Sequence, residues 1–243
     1  MPLLLERQAA AQNEVLQFRV PILEPIAVTD QVVIPVGIVD LATFRDWCQS
    51  DQFPKVGRID YSRGIIDVDL STEQLYDHNQ VKVAIAACIF YLLKTLRIGR
   101  VFGDGARLVM PDADRSTEPD VLFVSFDSLR NGRVREIPGR QHGLMEFEGA
   151  PDLVVEVVSD SSVGKDLREL KEQYFEQGVL EYWIVDARRE PLRFEILWRG
   201  SDGFEPLATT DGWQRSLVLG RAFQFEQQVD ERGRPMFELL VRE

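Results

Sequence analysis

The sequence predicts an α/β fold: a central mixed β-sheet flanked by helices, with an added segment at each end. Three observations predict it. Apolar strand-like runs such as LVVEVV (residues 153–158) and EYWIV (181–185) alternate with runs of helical periodicity. The link between those two strands, through a helix, has the length of a crossover. With 243 residues, 44% of them hydrophobic, the chain can bury a sizeable core.

Residues 1–38 read as a proline-punctuated N-terminal extension and 39–200 as the core. Gly57 to Leu70 (GRIDYSRGIIDVDL) predicts a hairpin turning near Ser62 to Gly64. The capping-box pattern Ser71, Thr72, Glu73, Gln74 then starts a helix towards Leu96, with His78 and Asn79 in its early turns. Arg100 to Met110 and Pro119 to Phe126 read as strands, the second opening with Glu118, Pro119 and Asp120. Proline is tolerated at a strand start, and here it directs Asp120 to the mouth of the sheet. Strands near 57–70, 101–110, 119–126, 153–159 and 181–187 are expected in one sheet. Residues 201–243 form a C-terminal β appendage, where TTDGWQ and DERGRP mark turns between short segments such as Arg221 to Val229 and Met236 to Val241.

The most informative stretch is Pro151 to Asp186. Alternation puts Val154, Glu156 and Val158 on one face of an apolar strand and Leu153, Val155 and Val157 on the other. Serines and an aspartate at 160–162 supply a turn, and Gly178 a stop, so a helix is expected from about Lys165 to Gln177. Lys171 falls near the centre of its apolar arc of Leu167, Leu170, Tyr174 and Phe175. A buried charge must pair, shift its pKa or bind a metal, so Glu156 and Lys171 converging from adjacent elements point to a site. The alternative for Lys171 is a stem lying along apolar surface with its ammonium in water. Asp152, four residues from Glu156 on the same strand, is about 13 Å away at ~3.3 Å per residue. Asp120 is therefore the better partner for Glu156.

An acid after proline at the start of one strand, an acid inside the next and a nearby lysine resemble the active site of the PD-(D/E)xK nuclease superfamily. More narrowly, EPDVLFV, GAPDLVVEVVSDSS, DLRELKEQYFEQGVLEYWIVD and the His78 helix resemble the restriction-endonuclease family called Uma-two, over roughly residues 40 to 200. The resemblance implies a restriction-endonuclease-like core with Asp120 and Glu156 as metal-binding carboxylates. The superfamily lysine, expected two residues after the glutamate, is replaced by Val158, and the resemblance implies its migration to Lys171. Asp60 is the nearest match to a family acid before the hairpin turn, with an exposed hairpin acid as the alternative. His78 matches a family histidine at the start of this helix, and the resemblance implies that it contacts a phosphate or orients an acid; a packing or surface position on the helix is its alternative. The implied activity is Mg²⁺-dependent hydrolysis of phosphodiester bonds in DNA, with Mn²⁺ as a substitute ion. Carboxylate oxygens suit such a hard cation, and a lysine beside it stabilises developing negative charge. The other reading is a binding or structural protein on a nuclease scaffold, a homodimer with weak or no cleavage.

A net charge of −12 argues against a broad nucleic-acid surface, so positive charge must be concentrated locally. Ser128 to Leu144 does this, with Arg130, Arg133, Arg135 and Arg140 against Glu136, as a loop that could hold a nucleic-acid backbone or simply lie solvated. Residues 3–20 contain Glu6 and Glu14 and do not read as a secretory signal, and the apolar run Val83 to Leu93 is too short to span a bilayer. Cys48 and Cys88 form no CxxC pair and fit reduced cytoplasmic thiols. Gly103-Asp104-Gly105 lacks the third glycine of a dinucleotide loop, and Ser62 makes no nucleophile elbow.

Overall fold

The computed structural model describes residues 15–139, 143–159, 168–188 and 190–243. The first strands are β1 (Leu16–Arg19), β2 (Ile26–Ala27), β3 (Val33–Ile34), β4 (Arg58–Ser62), β5 (Ile65–Asp69), β6 (Gly99–Phe102) and β7 (Arg107–Met110). Then come β8 (Arg115–Thr117), β9 (Val121–Ser125), β10 (Val134–Pro138), β11 (Leu144–Gly149), β12 (Leu153–Val157) and β13 (Glu181–Asp186). The last are β14 (Arg193–Arg199), β15 (Phe204–Pro206), β16 (Thr209–Thr210), β17 (Trp213–Ser216), β18 (Arg221–Val229) and β19 (Pro235–Arg242). Four α-helices are described: α1 (Leu41–Cys48), α2 (Val81–Leu96), α3 (Phe126–Arg130) and α4 (Leu170–Gln177).

The α/β class is observed, and the single expected sheet divides in two. One sheet runs β1-β5-β4-β8-β7-β11-β10 and the other β15-β14-β13-β12-β9-β6. The division falls inside the run read as one strand from Arg100 to Met110. Gly103 to Gly105 form a turn, with Gly105 at φ +80° and Ala106 N–H donating to the Gly103 carbonyl. That turn sends β6 to one sheet and β7 to the other.

The six-stranded sheet carries apolar residues on both faces, as its near-continuous Val, Ile and Leu runs require. On one face Val121, Phe123, Leu153, Val155, Trp183 and Val185 pack with Val81, Ile85 and Ile89 of α2. Phe223, Phe225 and Leu239 of the C-terminal β16-β17-β18-β19 sheet complete that cluster. On the other face Leu122, Val124, Val154, Tyr182 and Ile184 meet Leu170 and Tyr174 of α4 and Leu108 and Met110 of β7. β12 and β13 are parallel neighbours joined through α4, whose last turn closes on Gly178 at φ +98°.

The end segments are integrated with these sheets. β1 pairs with β5, and Ile22, Val32 and Ile34 share a third cluster with Phe44 and Trp47 of α1. Glu181 fastens the C-terminal sheet: its carboxylate accepts from Trp183 Nε1 at 2.7 Å and from the backbone N–H of Leu217 at 2.9 Å.

Two further expectations are corrected. The helix does not begin at a Ser71 capping box, because the Ser71 N–H and hydroxyl bond to Asp69 Oδ1; a π-helical turn, Leu75–Gln80, leads into α2 instead. The resulting stretch, Leu75–Leu96, has 22 residues and is long and apolar enough, by length and composition alone, to cross a bilayer. The shorter run Val83 to Leu93 had suggested otherwise. Its Val81, Ile85, Ile89 and Leu93 stripe is buried in the protein core.

Candidate active site

Strand alternation builds a polar gap between the two sheets. On β4, Ile59 and Tyr61 point into the α1 cluster, so Arg58, Asp60 and Ser62 project from the opposite face. On β12, Glu156 shares the face of Val154, which packs towards α4 and β7. Asp120 immediately precedes β9, and the antiparallel Val121–Val155 pairing brings it beside Glu156. The three carboxylates are sequestered: Asp60 is 0%, Asp120 3% and Glu156 1% exposed. The exposed-acid alternative for Asp60 is thereby excluded.

Each acid is anchored by a neighbour. Asp120 Oδ2 accepts the Val157 N–H at 2.7 Å. Glu156 Oε1 accepts the Tyr174 hydroxyl at 2.5 Å, and Asp60 Oδ2 accepts from Thr117 Oγ1 at 3.1 Å. Burial, then the Glu156 charge and the hydrogen bond to it, push the Tyr174 hydroxyl well above its ordinary pKa, so it remains a donor. The Arg58 guanidinium lies among all three acids: Nε is 3.3 Å from Asp60 Oδ2, Nη1 3.9 Å from Asp120 Oδ1 and Nη2 3.9 Å from Glu156 Oε2. Arg115, fully buried on β8, stands 3.8 Å from Asp60 and donates to Gln173 of α4.

A second group comes from the start of α2. His78 Nε2 lies 2.8 Å from the Val157 carbonyl and 3.7 Å from Asp120 Oδ2, while Nδ1 lies 2.7 Å from Glu73 Oε1. Lys82, one helical turn beyond His78, bonds Asp104 Oδ2 at 2.7 Å and Glu73, and stands 3.9 Å from Asp120 Oδ1. Burial works against its charge, but Asp120, Asp104 and Glu73 together raise its pKa. For Glu73, burial is outweighed by hydrogen bonds from Lys82, Asn79 and His78, which bring the carboxyl down to about 2.

The structure thus brings Asp60, Asp120, Glu156 and His78 together. Lys171 is partly buried on α4 and, among the described residues, makes no ion pair or hydrogen bond with these acids. Val158, the position of the superfamily lysine, is buried in the apolar cluster. The basic segment is not an open loop. It forms α3 and the β10–β11 hairpin, and its charges are matched: Arg130 pairs with Asp127 and Arg135 with Glu148. Arg133 donates to the carbonyls of Gly178 at 3.1 Å and Ala150 at 3.4 Å, a structural tie, and Arg140 lies outside the described residues. Arg58, Glu73, Lys82 and Tyr174 were not singled out from the sequence. Two of them had a signal there, since Arg58 shares a strand face with Asp60 and Lys82 a helix face with His78.

The donor chemistry suits a hard divalent ion, because the oxygens converging on the gap are carboxylates with the Val157 carbonyl nearby. Among the described residues no three His, Cys, Asp or Glu side chains stand close enough to hold an ion as placed, and the space between them contains the Arg58 guanidinium.

A two-sheet α/β body with one buried acid at a strand start and others inside neighbouring strands defines a restriction-endonuclease-like fold. Residues 41–228 match the Uma2 (Uma-two) family, described as "Putative restriction endonuclease", and the chain belongs to that family. Its fold is similar to the crystal structure of "a putative nuclease belonging to DUF820 from Anabaena variabilis ATCC 29413", with a TM-score of 0.56 and 17% identity. That likeness covers 75% of this chain and 91% of the other. None of the curated proteins matches this chain.

Proposed function

We propose that this protein is a divalent-metal-dependent endonuclease that hydrolyses phosphodiester bonds of DNA. The observation that carries the reading is the convergence of three buried carboxylates, Asp60, Asp120 and Glu156, on one cationic group between the sheets. Asp120 and Glu156 would hold Mg²⁺ or Mn²⁺, with Asp60 and the Val157 carbonyl beside them. Such an ion neutralises charge on a phosphate and acidifies a water. The rest of the work belongs to the chain. Tyr174 and the Val157 N–H fix one oxygen of each acid and leave the other facing the gap. His78 holds the Val157 carbonyl, and Lys82, kept charged by its acidic neighbours, adds positive charge beside Asp120. Lys171 lies three residues before Tyr174, hence on the same face of α4, and has no ion pair among the described residues. Its ammonium is available to meet a phosphate.

The test uses Asp120→Asn and Glu156→Gln, measuring Mn²⁺ binding by calorimetry and nicking of supercoiled plasmid. Both variants should lose the ion and the nicking while keeping the far-ultraviolet circular dichroism of the wild type. Unaltered Mn²⁺ affinity in both would reject the assignment. A second reading, DNA binding without cleavage, is favoured by the Arg58 cation already placed among the acids. Retarded migration of DNA with no nicking at saturating Mn²⁺ would support it.

A further inference from the structure

Asp120 and Glu156 each have one oxygen anchored by a short hydrogen bond and the other facing Arg58, while Asp60 meets Thr117 and Arg58 through the same oxygen. The anchors are short, at 2.7 Å for Val157 N–H to Asp120 and 2.5 Å for Tyr174 to Glu156. The remaining oxygens, Asp120 Oδ1 and Glu156 Oε2, together with Asp60 Oδ2, face Arg58 at 3.3 to 3.9 Å. Charge-assisted hydrogen bonds of arginine run at about 2.7 to 2.9 Å and are frequently bidentate to one carboxylate. The fork of Arg58 is fitted to none of the three in that way. It stands 3.3 to 3.9 Å from all three and donates from Nη2 to Thr117 Oγ1 at 3.4 Å.

A divalent ion taking the same oxygens would sit about 2.0 to 2.1 Å from each. Guanidinium and ion cannot share that space, and their charges repel. Arg58 also has a way out. Its side chain is 29% exposed, while the acids it serves are 1 to 3% exposed. The acids are fixed inside two strands and at the start of a third, whereas arginine ends a long flexible stem, so the arginine is the part that moves.

We infer that Arg58 is a resident counter-ion shared by these three carboxylates and competes with the divalent ion for them, so that loading the ion requires Arg58 to leave the gap. This rests on the metal-dependent reading above and adds a competitor supplied by the chain itself. In the ion-free protein Arg58 adds its positive charge to the three buried acids, beside Lys82 at Asp120 and Arg115 at Asp60. Once displaced, its guanidinium stands at the mouth of the gap, where a phosphate diester would arrive.

The experiment is a Mn²⁺ titration by calorimetry on the wild type, Arg58→Met and Arg58→Gln, with melting temperatures recorded with and without Mn²⁺. Removing the guanidinium should tighten Mn²⁺ binding at least about tenfold and lower the ion-free melting temperature. Saturating Mn²⁺ should restore that loss. Mn²⁺ binding to the wild type that neither variant strengthens overturns the inference and leaves the metal site standing. Absence of Mn²⁺ binding in all three overturns the metal reading together with the inference. Should both variants be unfolded without the ion, Mn²⁺ should fold them, and persistent unfolding at saturating Mn²⁺ would also overturn it. A structure of the Mn²⁺-loaded wild type gives an independent readout: Arg58 withdrawn from the three acids supports competition, and Arg58 still within 4 Å of all three refutes it.

Discussion

Tyr174→Phe removes one oxygen and leaves the rest of a fully buried ring in place. The ring packs 5.3 Å from that of Tyr182 in the cluster between β12, α4 and β7, and phenylalanine fills the same volume. What is lost is the 2.5 Å hydrogen bond to Glu156, a carboxylate only 1% exposed, so water cannot readily replace it. Hydrogen bonds to charged groups contribute about 1.5 to 3 kcal/mol. For a chain of this size each kcal/mol shifts the melting temperature by roughly 2 to 4 °C, so the variant should melt roughly 3 to 12 °C lower. Calorimetric melting at neutral pH measures this, and a double-mutant cycle with Glu156→Gln isolates the pair. If Tyr174→Phe costs as much beside Gln at position 156 as beside Glu, the hydroxyl is not coupled to the acid and the reasoning fails.

Lys171→Met keeps the apolar stem and removes the charge. Melting temperature and Mn²⁺ affinity should stay at wild-type values while plasmid nicking falls by about tenfold or more, and full nicking would show that the ammonium meets no phosphate. Glu73 titrates at about 2 in the folded protein against 4.5 ordinarily, so its contribution to stability is complete above about pH 4.5 and is lost as pH falls towards 2. The penalty of Glu73→Gln, read from urea unfolding, should therefore shrink on acidification through that window, and a constant penalty would detach Glu73 from its cations.

The parts of this molecule written in short-range periodicity were readable. Alternation in LVVEVV placed Glu156 on the face that meets α4, and the β12–α4–β13 crossover followed from length and the Gly178 stop. Asp120 at the mouth of β9 followed from its proline. For Arg58 only the face shared with Asp60 was readable, because an arginine in an alternating strand looks the same whether that face is covered by water or by a second sheet. The sheet that covers it appears only once the turn at Gly103 to Gly105 separates β6 from β7. Glu73 fits a capping box as well as it fits a site, and long-range ties to His78 and Lys82 decide between them. Tyr174 lies on an apolar helical arc, where periodicity registers the ring and is blind to the hydroxyl. The Arg130 to Arg140 segment looked like a loop because it is rich in arginine and glycine. The pairing that makes a hairpin of it depends on Glu148 and on the seven-stranded sheet.

The apolar face of the six-stranded sheet also has a consequence in time. Trp183 and Val185 are covered on that face partly by Phe223, Phe225 and Leu239, which are translated 38 or more residues later. At about 5 to 20 residues per second, ribosomal synthesis leaves a delay on the order of seconds between the two. During it the strands bearing Asp120 and Glu156 have already emerged, but the layer that steadies them from behind has not. A nascent chain therefore carries its acids before it carries the rigidity to aim them, and the Glu181 latch to Leu217 closes only when the β17–β18 turn arrives.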